Sequence, residues 1–144
     1  MSRHAEVFTE LLLEVFRVNG LLLAAGDRIA QPVGLTSARW QVLGVVEHGP
    51  VPVANVARTM GLSRQSVQQT ANGLEQDGFI MFTDNPHHRR AKLMQVTEKG
   101  EQALTYITEQ QALWAERIGG EHKLEDLAGA LELLQRLQGS LTET

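Results

Sequence analysis

The chain has 144 residues with 13 Lys+Arg, 17 Asp+Glu, 42% apolar side chains and no cysteine. That length buries roughly two-thirds of the unfolded surface without help from metal or disulfide, and the missing thiols exclude a cysteine nucleophile, a thiolate zinc site, an iron–sulfur cluster and a cysteine oxidation sensor. The net charge of −4 is uneven, −1 over residues 1–52, +2 over 53–95 and −5 over 96–144, so a polyanionic partner is expected only at the middle.

The first residues, Met1-Ser2-Arg3-His4-Ala5-Glu6, lack the basic-then-apolar order of a signal peptide, and Glu10, Glu14 and Arg17 interrupt the leucines that follow. With no stretch long enough to span a bilayer, a cytoplasmic protein without a membrane partner is expected. Residues 5–30 carry Val7, Phe8, Leu11, Leu12, Val15, Phe16, Val18, Leu22 and Leu23, an apolar surface wider than one stripe, which predicts a helix covered on two sides. Thr36 is placed to cap a helix running to about Glu47, with Trp40, Leu43 and Val46 inward and Gly49-Pro50 as its stop. A short helix over Val53 to Met60 and another from a Ser63 cap to about Asp77 follow.

Gly78 to Phe82 and Ala91 to Val96 are the only good strand candidates, and Thr83-Asp84-Asn85-Pro86-His87-His88-Arg89-Arg90 between them reads as the exposed tip of a β-hairpin. Thr97 then caps a long helix with Leu104, Ile107, Trp114 and Ile118 at helical spacing, broken by Gly119-Gly120. The last helix repeats Leu124, Leu127, Leu131, Leu134 and Leu141, with Leu133 and Leu137 beside them, close to a heptad seam and so a surface for a partner helix. No internal repeat of 20–50 residues and no low-complexity tract interrupts this order.

The segment from Val56 to Val67 carries the most specific pattern. A helix-turn-helix needs a small residue where its helices cross, a glycine to turn the chain four residues later and an apolar residue locking the second helix on the first; Ala57, Gly61 and Val67 fill these places. On the second helix Val67, Ala71 and Leu74 form the inward stripe, which leaves Arg64, Gln65, Gln68, Gln69 and Asn72 on an opposite face without acid. Arg pairs with guanine and Gln or Asn with adenine in the major groove, and Ser63 and Ser66 stand where helix N-terminal amides suit a phosphate. The cationic hairpin tip, with His87, His88, Arg89 and Arg90 and then Lys92, is placed to enter the adjacent minor groove. The bland alternatives are a solvated polar helix face and an edge hairpin kept soluble by charge.

Other chemistry has weaker support. His87 and His88 are loop neighbours that rarely converge on one ion, and His4, His48 and His122 are scattered, so neither metal nor cofactor is expected. No Ser/His/Asp order, H-E-x-x-H or glycine-rich phosphate loop is present, so the chain is expected not to be an enzyme. Phe16, Trp40 and Trp114 are either plain core or the lining of an effector pocket, with Arg17, Arg28 and Arg39 as nearby cations for a carboxylate.

These residues resemble the MarR family of winged helix-turn-helix transcriptional regulators over nearly the whole chain. The resemblance is carried by Leu35-Thr36-x-x-Arg39-Trp40-x-Val42-Leu43, by Val56-Ala57 through Val67, by Leu74-Glu75-x-x-Gly78-Phe79-Ile80, and by Arg90-Ala91-Lys92-Leu93 leading to Val96-Thr97-Glu98-Lys99-Gly100. It implies a mainly α fold with a small β-hairpin wing and a homodimer whose N- and C-terminal helices interlock. The recognition helix would lie at residues 63–77 and the wing at 79–96. It also implies repression relieved by a small ligand, often phenolic or aromatic, held between the dimer helices and the DNA-binding lobe. The expected organisation is one domain over residues 1–144, with 1–34 and 97–144 as the helical dimerisation region and 35–96 as the DNA-binding lobe. One departure stands out: the family commonly has Asp two residues before the wing arginine, and here that place is His88, so the wing is expected either to be set by a different contact or to be looser and more pH-sensitive, with Arg89 and Arg90 both open as the residue that reaches the groove.

The expected function is therefore a homodimeric, sequence-specific regulator of double-stranded DNA on a pseudo-palindromic operator. Arg64, Gln65, Gln68 and Gln69 would read bases, and Ser63, Ser66 and Lys92 would sit near phosphates. The competing reading is a helical dimer of this fold that does not read DNA and serves as a protein- or ligand-binding module. It calls for an acidic or apolar face at residues 64–72, which the sequence lacks.

Overall fold

In the computed structural model, which describes residues 1–142, four helices begin on a Ser or Thr whose hydroxyl accepts the amide three residues on. Ser2 Oγ accepts Ala5 N at 3.1 Å, Thr36 Oγ1 accepts Arg39 N at 3.2 Å, Ser63 Oγ accepts Ser66 N at 3.0 Å and Thr97 Oγ1 accepts Gly100 N at 3.2 Å. Each bond satisfies an amide that the helix itself cannot. The helices so started are α1 (Arg3–Ala30), α2 (Ser37–Val46), α4 (Arg64–Gln76) and α5 (Glu98–Gly119), with α3 (Val53–Met60) and α6 (Leu124–Thr142) completing the set.

The chain forms two compact units, Met1–Ile107 and Thr108–Thr144. Glu143 and Thr144, the last residues of the expected dimerisation region, lie outside the described residues. The first unit holds α1 to α4, the start of α5 and a three-stranded antiparallel sheet of β1 (Val51–Pro52), β2 (Ile80–Thr83) and β3 (Leu93–Val96) in the order β1-β3-β2. In its hairpin Ile80 faces Val96 and Thr83 faces Leu93, while β1 pairs Val51 with Met94 and Pro52 with Leu93. The sheet thus has a strand that sequence patterning does not show. β1 is two residues long and one of them is proline, which gives no period-2 pattern and cannot donate, and such a residue is tolerated only at an edge.

Leu43, Val46, Val56, Val67, Leu74, Ile80, Met94 and Ile107 are buried in one core that joins α2, α3 and α4 to the sheet and to the start of α5. Gly61 is the turn of the helix-turn-helix: its φ of +67° lies in the left-handed region, and Leu62 N donates to Ala57 O at 2.9 Å, closing the end of α3. On α1, only Ala25, Gly26 and Ala30 near its C-terminal end are buried. The predicted two-sided cover of that helix is absent from the single chain, where Phe16 is 64% and Leu21 71% exposed.

In the second unit, α5 ends at Gly119, with Gly120 N donating to Glu116 O at 2.9 Å, and α6 starts after a short turn. Leu124, Leu127, Leu131, Leu134 and Leu141 of α6 are all exposed. Among the described residues no helix is long and apolar enough to cross a membrane.

Candidate nucleic-acid interface

The face of α4 follows from its burial. Val67, Ala71 and Leu74 are fully buried against the core, so Arg64, Gln65, Gln68, Gln69 and Asn72 are turned to solvent by helical geometry alone. Gln68 Nε2 donates to Asn72 Oδ1 at 2.8 Å, which holds the two amides in one orientation one turn apart. Ser63, expected near a phosphate, uses its hydroxyl oxygen as the cap of α4, accepting Ser66 N at 3.0 Å.

Between α4 and the wing runs a groove of about 700 Å³. Its walls bring together Arg64, Gln65, Gln68 and Asn72 from α4, Phe82 from β2, Arg90, Ala91 and Lys92 from the wing and Pro52, Val53 and Ala54 at the start of α3. Of the expected DNA-contacting residues, Ser63, Ser66 and Gln69 on α4 and His87, His88 and Arg89 at the wing tip are exposed but do not line this groove. Glu75 does line it. The stretch 64–72 is free of acid, as read from the sequence, but the same side of the helix presents a carboxylate one turn later.

The wing is set by Asn85. Its Oδ1 accepts His87 N at 3.0 Å and its Nδ2 donates to Ala91 O at 2.9 Å, so one half-buried amide ties both limbs of the tip together. Among the described residues His88 itself takes part only through its backbone, with His88 N donating to Asn85 O at 3.2 Å and Ala91 N donating to His88 O at 3.2 Å. The signal of the Asn85 contact in the sequence is an Asn before Pro, a residue pair that favours side chain to backbone turns. Asn85→Ala is expected to cost about 1 kcal/mol of stability and to speed hydrogen exchange of the amides of residues 87–91. Exchange unchanged from wild type would remove Asn85 from this role.

The C-terminal end of α4 is anchored from three directions. Arg39 Nη1 bonds Asp77 Oδ2 at 2.6 Å, Lys99 Nζ donates to the Asp77 carbonyl at 2.6 Å, and Thr97 Oγ1 donates to Gly78 O at 2.6 Å. The Lys99 ammonium also lies 4.5 Å from the centre of the Phe79 ring, a cation–π contact. A cation at the last carbonyls of a helix is favourable to its dipole. The Arg39–Asp77 pair spans 38 positions in sequence, so nothing local announces it.

That pairing changes the reading of Arg39: the sequence offers it as a carboxylate anchor for an effector, and the structure bonds it within the chain. Arg17 is paired with Glu14 at 2.5 Å on the exposed surface of α1, Phe16 is mostly exposed, and Trp40 packs half-buried on the core. Trp114 belongs to the second unit. Among the described residues no group of three or more His, Cys, Asp or Glu could hold a metal ion.

Comparison with known proteins places these features in a family context. The MarR family model matches residues 33–91, the stretch from just before α2 to the wing. An uncharacterised protein of Mycobacterium tuberculosis is 34% identical over 133 residues, covering 92% of this chain and 93% of that protein. The transcriptional activatory protein BadR of Rhodopseudomonas palustris is 26% identical, over 96% of this chain and 87% of its own length. Among solved structures, CouR from Rhodococcus jostii bound to p-coumaroyl-CoA superposes with a TM-score of 0.77 at 25% identity, over 88% of this chain and 90% of that one.

Proposed function

The chain belongs to the MarR family, and from that premise we propose that it is a homodimeric, sequence-specific DNA-binding repressor released by a small aromatic or phenolic ligand. The observation that carries the reading is the α4 face of Arg64, Gln65, Gln68 and Asn72 set across one groove from Arg90 and Lys92 of the wing. A helix in the major groove and a wing in the next minor groove need that spacing of readers and cations on the two sides of one sugar-phosphate strand. The exposed leucines of α6 and the exposed apolar residues of α1 support dimerisation through residues 1–34 and 97–142, with 35–96 as the DNA-binding lobe. The p-coumaroyl group that CouR binds is phenolic, which supports the ligand class. A family whose members regulate transcription is not expected to be enzymatic, and its site of action is the cytoplasm.

The test is selection of bound duplexes from a random pool. A two-fold dimer is expected to recover a pseudo-palindrome whose half-sites lie about 10 bp apart, centre to centre. Gln68→Ala is expected to relax one position in each half-site. Recovery of no sequence would favour the module that does not read DNA, and recovery of an unrepeated one would overturn the two-fold arrangement on the operator.

A further inference from the structure

Ser37 is only 6% exposed and is the one buried polar residue among the described residues. Both of its donors are bonded to α1: the Ser37 amide donates to Asp27 Oδ1 at 2.7 Å, and the Ser37 hydroxyl donates to the Leu23 carbonyl at 2.6 Å. Ser37 is the first residue of α2, so its amide is a donor that the helix leaves unpaired, and a carboxylate there also meets the positive end of the helix dipole. The two attachment points on α1, residues 23 and 27, are four positions apart and therefore on one face, about 6 Å from each other along the axis. Beside the apolar contacts that Ala30 and Ile29 share with α2 in the core, two bonds spaced along α1 fix the angle between the helices more closely than one bond would. Close approach is built in as well. A Cβ on Gly26 would collide with the Ser37 hydroxyl oxygen, so α1 must be bare at that point.

We propose that the Leu23–Asp27–Ser37 joint determines which operator spacing the protein accepts. This rests on the DNA-binding dimer reading above. In such a dimer α1 is part of the shared frame and α2 is the first element of the reading lobe, so the angle at this joint sets where α4 sits relative to its symmetry mate. A tilt of about 10° over a lever of roughly 20 Å, the length of α4, displaces the far end by about one base-pair rise. Asp27 and Ser37 are positioning residues in this scheme, with no contact to DNA.

The experiment measures affinity for the selected operator and for versions with the half-sites moved by one and two base pairs in either direction. Wild type is expected to lose roughly 30-fold when the spacing is wrong by one base pair. Ser37→Ala and Asp27→Ala are expected to shrink that penalty to roughly threefold while preserving base preference within a half-site. Asp27→Asn, which keeps an acceptor oxygen for the Ser37 amide, is expected to retain most of the wild-type penalty, and thermal melting of each variant checks that it folds. An unchanged spacing penalty in the alanine variants, or a loss of affinity equal at all spacings, overturns the proposal. Absence of duplex binding by wild type overturns the DNA reading as well, and so is told apart from failure of the joint alone.

Discussion

Replacing Arg64 by alanine is expected to weaken operator binding by about 1–3 kcal/mol per half-site, and by roughly twice that for the dimer on both half-sites. The size follows from where the side chain stands. Arg64 is the first residue of α4, exposed and lining the groove, and its side chain has no hydrogen bond or ion pair among the described residues. A guanidinium presented in this way can pair in bidentate fashion with one guanine edge, and none of its bonding capacity is spent inside the protein. The substitution removes nothing from the core, so the melting temperature is expected to change little. Arg64→Lys separates charge from geometry: it keeps the attraction to the duplex but loses the planar fork, so affinity for random DNA returns while base preference does not. Titrations on operators mutated one position at a time check both variants. A loss that is uniform over all sequences, with a flatter salt dependence, would make Arg64 a phosphate contact instead.

Gly100→Ala is expected to destabilise the fold by about 1–3 kcal/mol, although alanine in place of glycine inside a helix ordinarily stabilises by roughly 0.5–1 kcal/mol. Gly100 lies in the first turn of α5, and a Cβ there would collide with the Phe79 carbonyl oxygen and stand 2.9 Å from Val96 Cγ1. The first of these is backbone, held by Thr97 N at 3.1 Å, and cannot rotate away. Relief would have to move α5 off the β2 start and disturb the Thr97 and Lys99 bonds that anchor the end of α4. Gly44 is the matched control. It lies in α2 with no atom within 4 Å of where its Cβ would stand, so Gly44→Ala is expected to be neutral or stabilising by up to about 1 kcal/mol. Thermal unfolding of the two variants side by side decides the matter, and equal shifts would show that the α5 contact yields easily.

Much of the architecture is local and therefore legible in the sequence. The caps at Thr36, Ser63 and Thr97, the turn at Gly61 and the stops at Gly49 and Gly119 all act within a few residues of themselves. The outward face of α4 follows from the period of Val67, Ala71 and Leu74 without any knowledge of what they pack against. The features that escape such reading are long-range or too short to form a pattern. β1 exists because β3 offers it an edge, and the Arg39–Asp77 and Asp27–Ser37 bonds join residues 38 and 10 positions apart. Glu75 is visible as an acid, but its place in the groove depends on where the wing folds back to.

Residue order alone therefore determined where the helices capped by Thr36, Ser63 and Thr97 begin, which side of the reading helix is wet and what chemistry that side presents, because hydrogen-bond caps and apolar periodicity are properties of neighbouring residues. Only the tertiary structure decided that Asn85 holds the wing, that Arg39 is occupied within the chain and that Ser37 locks α2 to α1. Those bonds depend on which donor and acceptor atoms the fold brings within about 3 Å of one another, and that distance is settled by packing rather than by spacing in sequence.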